Sequence, residues 1–248
     1  MKYVIANWKM NLGIRESVAL ARAAMATLQG KDLAPQVVIC PSATALHEVR
    51  KTIVRSRVAL GAQNAGPARY GAFTGEIGLS QLEDVGASYV LLGHSERRAL
   101  GEEAELIHER LKAVYEHSSL TPILCLNEAW VGELPTIFKD VRIPLHRRLL
   151  VAFEPLAAIG SGQPLSAVEA ASSLTDIRAS LQALTLIPET ALGLLYGGSV
   201  NGGNAYHYLR EPGIDGVLVG GAALKIQDFR GIVDAATDVL TAQTPVWP

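Results

Sequence analysis

The chain has 248 residues, of which 49% are hydrophobic and 19% charged, with a net charge of −2. That balance excludes a disordered chain and is enough to bury a sizeable core, as one large domain or two small ones. Both signs of charge are spread along the chain without a basic stripe or polybasic tract, so neither nucleic acid nor an anionic membrane surface is expected as a partner.

The N-terminal stretch MKYVIANWKM reaches a tryptophan and a lysine too soon to hold the apolar core of a signal peptide. No uninterrupted apolar run reaches the roughly 18 residues of a membrane span. Its first apolar run, YVIANW (3–8), is followed by the helix-like ESVALARAAMATLQG, which ends on a glycine stop. Next come the runs VVIC (37–40), VALGAQN (58–64) and YVLLGH (89–94). A long helix is predicted over SERRALGEEAELIHERLKAVYEH, with Ser95 as its cap. PILCL (122–126) leads into NEAWVGELPTIFKDVRIPLHRR (127–148), where Pro135 and Pro144 forbid a long helix and predict a short, irregular connection.

LLVAFEP (149–155) follows, then a helix opening on the capping box Ser166-x-x-Glu169, and finally ALGLLYGG (191–198) and GVLVGG (216–221). These runs do not alternate polar with apolar, which is how strands covered on both faces read. Eight strand-and-helix units with no linker between them predict an α/β fold, a single (β/α)8 barrel over residues 1–248. An open doubly wound sheet is the main competitor, but the first strand ends in ANWKMN rather than a G-x-G-x-x-G turn. Cys40 and Cys125 each close an apolar run without metal-ligand or CxxC spacing, so both read as reduced core thiols of a cytoplasmic protein.

In such a barrel the chemistry gathers at the carboxyl ends of the strands. Those ends carry Asn7 and Lys9, Asn64, His94 with Ser95 and Glu96, Asn127 with Glu128, Glu154, Gly197 to Ser199, and Gly220 with Gly221. Glu154 is the most telling. A carboxylate at the end of an apolar strand costs about several kcal/mol unless it is paired or used. In an apolar pocket its proton affinity is expected to rise, which suits a base acting on a C–H bond. A neutral imidazole at His94, on the amino end of a helix, and the Lys9 ammonium would stabilise an enediolate oxygen. Backbone N–H groups at the last two strand ends, with Ser199, would cradle a phosphate.

ANWKMN (6–11), GAQN (61–64) with GAFTGE (71–76), GHSERR (93–98), FEP with AIGSG (153–162), YGGSV (196–200) and DGVLVGGA (215–222) resemble, in this order, the triosephosphate isomerase family. The resemblance covers essentially the whole chain. It implies interconversion of D-glyceraldehyde 3-phosphate and dihydroxyacetone phosphate, without metal or organic cofactor. By position it makes Glu154 the base, His94 the electrophile and Lys9 the cation, with Asn7 beside them and Glu96 as the lysine's acidic neighbour. It makes Gly160, Ser199, Gly220 and Gly221 phosphate donors, and Ile159 and Leu218 an apolar clamp on the base when a mobile lid shuts. The segment 65–76, with Thr74, resembles the loop through which the family forms a homodimer.

The chain also departs from the family pattern. Ala157 stands where the lid has a tryptophan, and Phe153 where a tyrosine precedes the base. Gln163 replaces a basic hinge residue, Asn127 a glycine and Ala223 a serine, and the 127–148 connection is short. These changes bear on lid closure, stability and substrate range. The alternatives are a paralogous isomerase of a longer ketose phosphate, such as a tetrulose phosphate, and a slow phosphosugar-binding relative. Retention of Lys9, His94 and Glu154 argues against the last, since a binding module needs no base.

Overall fold

A computed structural model describes residues 1–156, 164–184 and 187–244. All eight apolar runs form parallel strands: β1 (Tyr3–Asn7), β2 (Gln36–Cys40), β3 (Ala59–Ala62), β4 (Tyr89–Leu92), β5 (Thr121–Leu126), β6 (Leu149–Phe153), β7 (Leu192–Tyr196) and β8 (Gly216–Val219). They pair in sequence order, and β8 returns to β1 through Tyr3 opposite Gly216, so the sheet closes into a barrel. Closure removes the edges that an open sheet would have to protect.

Strand parity divides the core in two. Alternate residues such as Tyr3, Ile5, Val38, Cys40, Leu91, Ile123, Cys125, Leu150, Ala152, Leu195 and Leu218 fill the barrel interior. Their neighbours, among them Val4, Ala6, Val151, Phe153 and Tyr196, pack outward against the helices. This is why the strands read as unbroken apolar runs. Continuing the inward parity by one step at the carboxyl ends reaches Asn7 after Ile5, Glu154 after Ala152 and Gly220 after Leu218.

The covering layer includes α1 (Ile14–Ala26), α2 (Leu46–Ile53) and α3 (Leu79–Asp84), then α4 (Ser95–Ala99) and α5 (Ala104–His117). After β5 come a 3-10 turn, Glu128–Glu133, and the single-turn α6 (Leu134–Ile137), as the two prolines require. The remaining helices are α7 (Ala167–Leu184), α8 (Ala205–Leu209) and α9 (Ile226–Gln243). The capping box before α7 forms in both directions, Ser166 N–H to Glu169 Oε2 at 2.9 Å and Glu169 N–H to Ser166 Oγ at 3.2 Å.

The long helix predicted from Ser95 to His117 is instead two helices. Gly101 has a φ of 97°, outside helical space, and interrupts the run between α4 and α5. Its cap also differs: His94, not Ser95, is the residue before the first turn, and its ring accepts the Glu96 N–H. Both cysteines are buried free thiols. Among the described residues no helix is long and apolar enough to cross a membrane.

Candidate active site

The carboxyl ends of β1, β4, β6, β7 and β8 surround a cavity of about 490 Å³. Its lining includes Asn7, Lys9, His94, Glu154, Ser199, Leu218, Gly220 and Gly221. That is a size suited to a small ligand.

Glu154 is 3% exposed, and each of its carboxylate oxygens has a partner. His94 Nε2 lies 3.0 Å from Oε1, and the Ser95 N–H donates to Oε2 at 3.0 Å. Arg98 Nη2 stands 3.9 Å from Oε2. Burial is the largest single influence on this carboxyl and raises its proton affinity. The His94 and Ser95 hydrogen bonds and the Arg98 charge together outweigh it, so the pKa is lowered from 4.5. The sequence-based expectation of a raised pKa is therefore corrected. It considered the apolar strand without the three donors that β4 and its following helix bring up to it.

His94 reaches the cavity through a backbone device. Leu91 faces inward and Leu92 outward, so parity alone would turn His94 away from the barrel interior. Gly93, with a φ of 64°, rotates the chain between them. A Cβ at Gly93 would also sit 2.8 Å from Ile107 Cδ1. The His94 Nδ1 accepts the Glu96 N–H at 3.2 Å, which leaves the ring proton on Nε2, facing Glu154. The ring is thus a neutral donor. That state follows from the hydrogen bond to Nδ1 and not from a helix dipole, since α4 has five residues.

Lys9 sits in a left-handed turn with a φ of 52°. Its N–H donates to Asn7 Oδ1 at 3.0 Å, and its carbonyl accepts from Gln63 Nε2 at 2.8 Å. Gln63 also donates to Cys40 O at 3.0 Å, tying the turn to the end of β2. The ammonium pairs with Glu96 Oε1 at 2.7 Å. Both partners of that pair are partly exposed, so its main effect is orientation rather than stability.

Gly220 and Gly221 follow β8, and a Cβ at Gly220 would come within 3.4 Å of Lys9 Cε. Ser199 follows β7, its carbonyl accepting Asn204 Nδ2 at 2.9 Å. Leu218 belongs to the barrel interior and forms part of the cavity floor. Ile159, Gly160, Ala157 and Gln163 lie outside the described residues.

Three strand-end residues go elsewhere. Asn64 lines an adjoining groove with Asn7, Lys9, Gln63, His94 and Glu96 rather than the main cavity, and its buried Oδ1 has no partner among the described residues. Asn127 and Glu128 do not line the cavity; Asn127 caps the turn after β5, and Glu128 accepts the Leu156 N–H at 3.2 Å. Conversely, sequence reasoning did not single out Arg98, Gln63, Lys225 or Asp228. Arg98 and Gln63 lay inside the quoted blocks GHSERR and GAQN, so the signal was available. Lys225 and Asp228, which line the cavity beyond β8, carried none.

Segment 65–76 is an exposed loop folded on itself by Gly66 N–H to Ile77 O at 2.8 Å and Glu76 N–H to Phe73 O at 3.0 Å. It presents Tyr70, Phe73 and Thr74 to solvent. Among the described residues no group of three or more His, Cys, Asp or Glu could hold a metal ion.

Comparison with known proteins agrees with this geometry. The family model described as Triosephosphate isomerase matches residues 2–236. The chain is 38% identical to the triosephosphate isomerase of Magnetococcus marinus over 94% of this chain and 98% of that relative. It is 40% identical to that of Roseiflexus sp. over 92% and 94%, and 36% identical to that of Aquifex aeolicus over 94% and 98%.

Proposed function

The chain belongs to the triosephosphate isomerase family and is an aldose–ketose isomerase of triose phosphates; from that premise we propose that Glu154, His94 and Lys9 carry the reaction. The observation that supports this most is the contact of a buried carboxylate with the Nε2–H of a neutral histidine in the cavity that also holds an ammonium.

Glu154 takes a proton from the carbon next to the substrate carbonyl and returns it to the neighbouring carbon. His94 Nε2–H and the Lys9 ammonium donate to the oxygen on which charge develops. A glutamate base beside a neutral histidine is the recognised pattern of this family, and the assignment carries it over. A neutral donor is better matched to a weakly acidic enediol than an imidazolium would be.

In the unliganded state Glu154 is held at low proton affinity by His94 and Ser95. To act as base it must release at least the Ser95 N–H and the His94 donor, which the substrate oxygens then occupy. Loss of those donors raises its proton affinity at the moment it is needed. Asn7 fixes the turn that aims Lys9, and Glu96 holds the ammonium and the His94 tautomer from the solvent side. Backbone N–H groups at Ser199, Gly220 and Gly221, with Lys9, are the phosphate subsite, in keeping with the common phosphate position after the last two strands of this fold. Leu218 supplies an apolar wall.

Two further readings go with the family. The protein is cytoplasmic, and it is a homodimer through the loop 65–76 with Thr74 at its tip. The exposed aromatics Tyr70 and Phe73 and the unpartnered Asn64 Oδ1 in the groove beside Lys9 support the second. Sedimentation of the purified protein tests it, a monomer at micromolar concentration being the contrary result.

Turnover in heavy water tests the chemistry. A proton shuttled by one carboxylate exchanges with solvent, so deuterium enters the product at the carbon beside the carbonyl. Product free of deuterium would mean direct hydride transfer and would remove the role given to Glu154.

A further inference from the structure

The connection after β5 does more than join two strands. Asn127 is buried and caps the 3-10 turn Glu128–Glu133: its Oδ1 accepts the Trp130 N–H at 3.2 Å, and its backbone oxygen accepts the same N–H at 3.0 Å. Two side chains of this capped turn then reach toward the base. Glu128 Oε2 accepts the N–H of Leu156, two residues beyond Glu154. The Trp130 ring lies against Arg98, its centroid 5.0 Å from the guanidinium carbon.

Arg98 is where the strand ends of β4, β5 and β6 meet. Its Nη1 donates to Cys125 O at 2.8 Å and to Gly93 O. Its Nη2 is buried, has no hydrogen-bond partner among the described residues, and faces Glu154 Oε2 at 3.9 Å. Two bonds through one nitrogen fix that nitrogen but leave the guanidinium plane free to tilt about it. An indole face laid on the planar cation removes that freedom.

We propose that Trp130 is a positioning residue for Glu154, holding the Arg98 guanidinium in the plane that faces the carboxylate. This rests on the reading of Glu154 as the base. Trp130 and Arg98 line none of the main cavity, and neither touches the phosphate side formed by Lys9, Ser199 and Gly220. Loss of the ring therefore lowers kcat and leaves KM nearly unchanged, because misplacing a base by a fraction of an ångström is felt in the chemical step. Asn127 acts one step further back, by holding the turn that carries the ring.

The test compares Trp130→Leu, Trp130→Phe and Asn127→Ala with Glu154→Asp in one kinetic series. Trp130→Leu is expected to lower kcat on the order of tenfold with KM within about twofold, the range a partly buried cation–π contact supports. Trp130→Phe, which restores an aromatic face, recovers most of that loss. Asn127→Ala shows the same signature at smaller size, and serves if the leucine variant does not fold. Equal kcat in Trp130→Leu and the parent overturns the proposal. So does an equal loss in the leucine and phenylalanine variants accompanied by a raised KM, which would be a packing effect. If Glu154→Asp itself turned over normally, the base assignment would fall instead, so the two failures are distinguishable.

Discussion

The His94 Nε2 lies 3.0 Å from Glu154 Oε1 while the His94 Nδ1 accepts the Glu96 amide at 3.2 Å, so one ring, in one tautomer, links the ends of β4 and β6. A donor on Nε2 and an acceptor on Nδ1 make the ring a neutral hydrogen-bond donor toward the cavity. Nitrogen NMR at neutral pH should show His94 as the Nε2-protonated neutral imidazole, and an imidazolium there would contradict it. His94→Ala removes the donor to the developing oxyanion and is expected to lower kcat about 10²- to 10³-fold, the usual effect of losing one such donor.

The lowered pKa of Glu154 has a consequence for stability. Its folded value lies below the ordinary 4.5, so the folded state favours the carboxylate. That contribution is fully present above the unfolded pKa and is lost as pH falls through the folded value. The stability difference between the parent and Glu154→Gln should be flat above about pH 5.5 and shrink below pH 4.5. Denaturant unfolding at several pH values measures it; a difference that grew as the pH fell would show that burial dominates after all.

Glu102 and Arg110 form a buried pair at the start and middle of α5, each side chain at most 4% exposed, with Arg97 also on Glu102 at 2.5 Å and Glu76 3.5 Å from Arg110. Glu102→Ala strands the Arg110 charge and should destabilise the fold by about 3–5 kcal/mol. Replacing both residues with apolar ones of similar volume should cost less than that. Thermal unfolding of the three variants separates the outcomes, and a mild effect of Glu102→Ala would count against the network.

Gln63 holds the strained Lys9 turn by its two hydrogen bonds to Lys9 O and Cys40 O. A non-glycine residue with a φ of 52° persists only where its surroundings hold it, at a cost of about 1–3 kcal/mol. Gln63→Ala should let the turn relax, displace the ammonium and raise KM several-fold more than it lowers kcat. Steady-state kinetics on a triose phosphate are the check, and an unchanged KM would remove Gln63 from this role.

Much of the barrel was legible because its strands are covered on both faces, which leaves unbroken apolar runs such as LLVAF and GLLY between polar strand ends. Parity then carried Asn7 and Glu154 to the mouth without further information. His94 was legible as a residue but not as a geometry. Its direction depends on the positive φ of Gly93, and its tautomer on an amide two residues away. The break between α4 and α5 was missed because an isolated glycine inside a periodic run reads as tolerated. The direction of the Glu154 pKa was missed for a different reason. Burial can be read from one strand, but the compensating donors come from residues 59 and 56 positions earlier, Ser95 and Arg98, and meet it only when the barrel closes. Trp130 and Asn127 stood in a stretch whose prolines predicted irregularity, and irregular segments give no periodicity from which to aim a side chain.

The most direct measurement is the kinetics of Glu154→Asp on glyceraldehyde 3-phosphate. The shorter side chain keeps the charge but withdraws the carboxylate by about 1 Å, a displacement on the order of 10²-fold in rate. The expected result is a large fall in kcat with little change in the affinity for a non-reacting phosphate ligand, since the phosphate side of the cavity is untouched. A variant that turned over at the parent rate would show that the proton is moved by another group, and Glu154 would be only a buried ion-pair partner of His94 and Arg98.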